Sequence, residues 1–264
     1  MNHHHILHNI DAFIQFCWAL SFGLLWLLYL FAAMSARIRH KKWPFFRIVF
    51  WTLGMISAVL AITGPLAKQA HLDFKAHMIV HLLLGMLAPL FMVLAAPMTL
   101  LFRTLNVKTA RKLSVVLRSK YVRIVSHPIA ASFLNIGGLW VLYTTDLYAE
   151  MHANIFLHLF VHIHVFLAGY VFTASFLSID PTPHRFGFIF RAIVFVLAAA
   201  GHSILSKYIY AHPPSGVSEE QAQLGGMLMY YGGDAVDIVM IIILCYQWYK
   251  ASWPRSLSVL PKIH

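Results

Sequence analysis

The sequence predicts an all-α protein: a polytopic membrane bundle of seven transmembrane helices, folded as a single domain over residues 1–264. Three observations predict it. Of the 264 residues, 60% are hydrophobic and only 11% charged, whereas a soluble domain of this size needs far more charge to cover its surface. Apolar runs of about 20 residues recur, each long enough to cross a hydrocarbon core about 30 Å thick. Between them no stretch is long enough for a separate soluble domain, and no low-complexity segment intervenes.

The first helix is read as Ala12–Met34, followed by Arg37, Arg39, Lys41 and Lys42. Residues Met1–Asp11 lack the basic n-region and small-residue cleavage site of a signal peptide, so this run is expected to be retained. The second is Phe45–Leu66, stopped at Gly64-Pro65. A third, His77–Phe102, contains Pro89 and Pro97, which should kink it. A basic loop follows, from Arg103 to Arg123. The fourth helix is Pro128–Thr145, the fifth Ala153–Leu177, the sixth Phe186–Ser206 and the seventh Leu224–Tyr249. The turn Asp180-Pro181-Thr182-Pro183 reads as a helix stop. Trp18, Trp140 and Trp248 fit interfacial belts or lipid-facing packing.

A net charge of +11 fits a nucleic-acid binder, but its placement argues otherwise. All but three of the 20 Lys and Arg fall on one side of this topology, the exceptions being Lys68, Lys75 and Lys207. That is the positive-inside pattern, and it predicts an N-terminus outside, a C-terminus in the cytoplasm and no nucleic-acid partner. Cys17 and Cys245 then lie near opposite faces, on the order of 30 Å apart by helix rise, too far to bridge within one chain.

Ionisable side chains inside a bilayer are costly, so each one is a candidate for function. His77 and His81 begin the third helix from outside, and their i,i+4 spacing puts both rings on one face. His158 and His162 repeat that spacing in the fifth helix, with His164 on a different face. His202 is expected about one turn below the outer surface. Asp234, and also Asp237 and Met227, lie on one stripe of the seventh helix. A single membrane histidine is most often a hydrogen-bonded contact between helices. It is the gathering of these residues on one membrane side that points to a metal. Imidazole suits copper, zinc or iron, and a thioether such as Met227 would favour Cu(I). The aspartates could instead orient histidines. His71, His127, His184, His212 and His264 are read as solvated, and His3-His4-His5 leaves open a metal-binding tail.

The run from Gly64-Pro65 through His77-Met78-Ile79-Val80-His81 to Ala88-Pro89 and Ala96-Pro97 resembles the CtaG family of multi-pass cytochrome c oxidase assembly factors. The resemblance continues at His127-Pro128, at His158-Leu159-Phe160-Val161-His162, and through Gly169, Asp180-Pro181 and Arg185 to His202 and Gly233-Asp234. It covers nearly the whole chain. The single-span copper chaperone that shares the name is a different protein, and no CxC-type motif is present. The resemblance implies a non-enzymatic role in maturing a haem–copper oxidase in the plasma membrane, by helping deliver copper, as Cu(I), to an oxidase subunit. It carries metal binding over to His77, His81, His158, His162, His202 and Asp234, with the choice between His162 and His164 open. Two other functions fit the residues alone. One is an intramembrane zinc hydrolase acting on a lipid, with three histidines and an aspartate base. The other is a b-type haem electron carrier. Membrane lipids are expected partners, and a homo-oligomer is left open.

Overall fold

The computed structural model describes residues 2–39, 43–181 and 185–253. Among these residues the chain is helical throughout, joined by short turns. In order the helices are α1 (Asn2–Arg39), α2 (Phe45–Ile62), α3 (Gly64–Ala70), α4 (Phe74–Leu94), α5 (Pro97–Thr104), α6 (Val107–Leu117), α7 (Lys120–Val125), α8 (Pro128–Thr144), α9 (Leu147–Ala153), α10 (Ile155–Leu177), α11 (Phe188–Ala211) and α12 (Glu219–Ser252). Six are long and apolar enough to cross a membrane: α1 over Gln15–Ala36, then α2, α4, α10, α11 and α12. The predicted fourth crossing is the shorter apolar helix α8.

Short polar side chains start the helices that matter most. Asp73 accepts from the Lys75 amide (2.9 Å) and opens α4. Asn154 accepts from the amides of Phe156 (2.9 Å) and Leu157 (3.3 Å) and opens α10. Each bond satisfies an amide that a helix start would otherwise orphan. Two helices widen to π geometry, α4 at Leu82–Leu87 and α8 at Phe133–Gly137. In α4 the cause is Pro89, which has no N–H to return to Gly85. The Ala88 amide reaches back to Leu83 instead. The Gly85 carbonyl faces the backbone of α10 at Gly169, where a Cβ would collide with that oxygen.

α4 lies at the centre, packed against α2, α10 and α12, while α11 and α12 pair along much of their length. In a lipid solvent, apolar burial drives helix association weakly, so close packing and polar contacts decide it. The outward faces are apolar, with Leu24, Phe31, Leu53, Phe160, Leu197 and Ile242 all exposed.

Several boundaries differ from the sequence reading. The expected third helix is not one kinked rod, because α4 ends at Leu94 and Ala96 takes a left-handed conformation (φ 52°) before Pro97 restarts the chain as α5. The Tyr29 hydroxyl donates to the Ala95 carbonyl at this break (2.9 Å). α2 stops at Ile62, just before Gly64 (φ +76°) and Pro65 as expected, and that pair also begins α3. The basic loop contains two short helices, α6 and α7. Trp140 is not a belt residue only, since its Nε1 donates to the Gly201 carbonyl (3.2 Å). Cys17 and Cys245 are both free and exposed. The side chains of His3, His4 and His5, and all of His184 and His264, lie outside the described residues.

Candidate functional site

The sites form at the end of the bundle where α4, α10 and α12 begin. There the predicted histidines fall into two groups at different depths, joined by a tyrosine.

The outer group lines a cavity of about 60 Å³ that includes His71, His77, His158 and His162, closed on one side by Trp18 of α1. His71 stacks on His158 with centroids 4.7 Å apart, His158 stacks on His162 at 4.2 Å, and His162 meets His77 edge-on at 6.5 Å. His152, from α9, lies 6.0 Å from His71 and 6.3 Å from His77. Backbone carbonyls orient two of these rings. His162 donates through Nδ1 to the His158 carbonyl (2.9 Å), and His152 donates through Nδ1 to the Tyr148 carbonyl (2.8 Å). A neutral imidazole that donates through Nδ1 keeps a lone pair on Nε2, which is how ligating histidines are commonly held.

The inner group is His81 and His202, 6.1 Å apart with rings nearly parallel. Both are buried, and among the described residues none gives their four ring nitrogens a hydrogen-bond partner. Unpaired buried polar atoms are costly, so four together call for an explanation. The two rings share a cavity of about 20 Å³ with Asn135, Thr173 and the buried Asp237. Space of that size holds one water or one ion. α12 makes room for the pair at Gly233, where a Cβ would stand 2.9 Å from His202 Nδ1.

Tyr143 of α8 stands between the groups. Its hydroxyl is hydrogen-bonded to His77 Nε2 (3.1 Å), and its ring lies 6.5 Å from His81. A separate gap of about 10 Å³, lined by His77, His81, Tyr143 and His162, shares wall residues with each of the two cavities.

Other predicted residues lie elsewhere. His164 donates through Nε2 to the Leu134 carbonyl in the π segment of α8 (3.0 Å), so it braces that helix and does not line the outer cavity with His162. Asp234 is half-buried and accepts from the Ser203 hydroxyl (3.3 Å), whereas Asp237 faces the inner cavity. Met227 is exposed. His202 sits deeper than one turn, because α11 continues to Ala211. Among the described residues no three His, Cys, Asp or Glu side chains form a ready-made metal centre. The arrangement instead offers imidazoles in pairs.

Reading His71 as solvated overlooks its stacking on His158, and His152 goes unmarked in the sequence reading. A signal for both exists in the chain. His71-Leu72-Asp73-Phe74-Lys75-Ala76-His77-Met78-Ile79-Val80-His81 and His152-Ala153-Asn154-Ile155-Phe156-Leu157-His158-Leu159-Phe160-Val161-His162 share the same histidine spacing. They also share a capping Asp or Asn two residues after the first histidine.

A family model described as cytochrome c oxidase caa3 assembly factor matches residues 27–251. An uncharacterised protein of Mycobacterium leprae is 24% identical over 241 residues, which is 83% of this chain and 37% of that protein. An uncharacterised protein of Mycobacterium bovis is 32% identical over 162 residues, 59% of this chain and 24% of its own length. One of Mycobacterium tuberculosis matches with the same figures. The chain thus spans well under half the length of these curated relatives. No solved structure matches it.

Proposed function

Because the chain belongs to the family of cytochrome c oxidase caa3 assembly factors, we propose that it is a multi-pass protein of the cell membrane that binds copper through its histidines and passes it to an oxidase subunit docked beside it. The role is that of a carrier, not a catalyst. The observation that carries the metal reading is the buried His81–His202 pair with four unpartnered nitrogens around a cavity of ionic size. Imidazole suits copper, and a pair of neutral imidazoles satisfies Cu(I), which accepts two ligands. His81 and His202 would hold the ion there, and release would proceed by ligand exchange.

The topology belongs to the same proposal: seven crossings, with the N-terminus outside and the C-terminus in the cytoplasm. Two contacts support α8 as the seventh. Near its C-terminus Tyr143 meets His77 at the start of α4. At its other end the His127 ring packs on Phe186, just before α11. Its 17 residues reach about 25 Å, which lies at the short end of what a bilayer needs.

The test is the metal content and visible spectrum of the detergent-purified protein, with His81→Ala beside wild type. Copper bound to wild type and strongly reduced in His81→Ala is expected, together with loss of copper and activity from the oxidase of cells carrying the variant. Wild-type protein that takes up no copper, or a fully metallated oxidase in His81→Ala cells, would overturn the proposal. Tightly held stoichiometric zinc would support the hydrolase instead. A Soret band would indicate haem, although cavities of about 60 and 20 Å³ leave no room for a porphyrin.

A further inference from the structure

The histidines do not surround one point; they form a file. From exposed His71 the rings run through His158, His162 and His77 to Tyr143, and on to His81 and buried His202. No step in this file exceeds 6.5 Å between centroids. Three cavities follow the same path and share walls. His77 and His162 line both the outer cavity and the gap, and His81 lines both the gap and the inner cavity.

The ends of the file differ in chemistry. At the entrance, His71 and His152 are exposed, and the polar side chains lining the cavity are imidazoles and the Gln15 amide, with no carboxylate among them. At the far end the two imidazoles are joined by the buried carboxyl of Asp237. A cation taken out of water is held more strongly where a carboxylate shares its site, since the surroundings screen the attraction less. The gap, at about 10 Å³, is at the lower limit for a single water. Space that small suits direct hand-over from His77 to His81, beside the Tyr143 hydroxyl, better than passage of a hydrated ion.

We propose that the protein carries two metal sites in series: an outer capture site built on His158 and His162 with His71 and His152 at its mouth, and an inner holding site of His81, His202 and Asp237. Tyr143 is the positioning residue between them. It fixes the His77 ring by hydrogen bond and so sets the rate of transfer without being a ligand. The repeated histidine spacing around the caps Asp73 and Asn154 supplies both arms of the entrance. This proposal rests on the metal-carrier reading above but can fail while that reading stands.

The experiment is a Cu(I) titration of the full-length protein in detergent against a chromophoric chelator, followed in time. Wild type is expected to hold two equivalents, one surrendered at once and one slowly. Asp237→Asn, which keeps the side-chain volume, and His202→Asn, which keeps a polar group but removes the ring, should leave only the fast equivalent. His158→Ala should leave only the slow one, and fill it more slowly. Tyr143→Phe should keep both equivalents but change the filling rate of the inner site by about tenfold, the size typical of losing a group that orients a ligand. A single equivalent lost alike in His158→Ala and His202→Asn would overturn the series of sites and leave the carrier reading intact. Wild-type stoichiometry in His202→Asn and Asp237→Asn, with both variants monodisperse, would overturn the inner site. No Cu(I) bound by wild type would overturn both proposals.

Discussion

Gly233 has no side chain because the His202 ring occupies the space, with Nδ1 only 2.9 Å from where a Cβ would stand. His202 sits on α11 against the partner helix α12, so a methyl group at 233 must displace either the ring or the helix. Over-packing of this kind costs about 1–3 kcal/mol. Gly233→Ala should therefore lower the thermal midpoint in detergent and reduce bound copper together. Gly23→Ala, in the body of α1 where nothing lies within 4 Å of a Cβ, is the comparison, and it should not lower the thermal midpoint. Retained copper in Gly233→Ala at native stability would show that the ring is not held as described. At this scale the sequence marks most of the ligating candidates, because a histidine in an apolar run is conspicuous. It hides their grouping. The spacing of His77 and His81 places both on one helical face, yet their neighbours divide them: His77 meets Tyr143 and His162, while His81 meets His202.

Among the elements, the sequence is plain where hydropathy governs and silent where single polar groups decide. The six long helices follow from apolar runs. The depth of His202 does not, because Lys207 reads as the edge of the membrane. In the fold α11 passes that residue and runs on to Ala211, and the Lys207 ammonium lies over the Tyr230 ring at 5.0 Å. Asp180 is a similar case. Read as part of a helix stop, it is also a clasp across the far end of the bundle. Its carboxylate accepts from the amides of Met98 (3.1 Å) and Thr99 (2.7 Å) and from the Thr99 hydroxyl (2.7 Å), capping α5 and tying it to the end of α10. Asp180→Ala leaves those donors without a partner, at about 1–3 kcal/mol. The expected result is a lower thermal midpoint with unchanged copper stoichiometry. Loss of copper at normal stability would mean that this end of the bundle takes part in binding.

For the whole molecule, the direction of α8 decides how the site can form at all. His77 at the start of α4 faces His162 near the start of α10, and about two turns further along both helices Gly85 meets Gly169, so α4 and α10 run side by side in the same direction. Since α4 carries the chain away from the site, something must bring it back before α10, and of the helices between them, α5 to α9, α8 is the longest. If α8 crosses the bilayer, residues 112 and 220 are separated by three crossings, α8, α10 and α11, and lie on opposite sides. If α8 merely lies within the protein on one side, the separation is two and they lie on the same side. Both positions are exposed, Lys112 in the basic segment and Glu220 at the start of α12. With Cys17 and Cys245 replaced by Ser, Glu220→Cys should react with a membrane-impermeant maleimide in intact cells, and Lys112→Cys only after lysis. The basic residues crowded around Lys112 belong on the cytoplasmic side by the positive-inside pattern, so the expected orientation follows from charge and the expected opposition from geometry. Labelling of both positions from outside, or of neither, would leave α8 without a crossing. A histidine site opening to the exterior would then have no topology to support it.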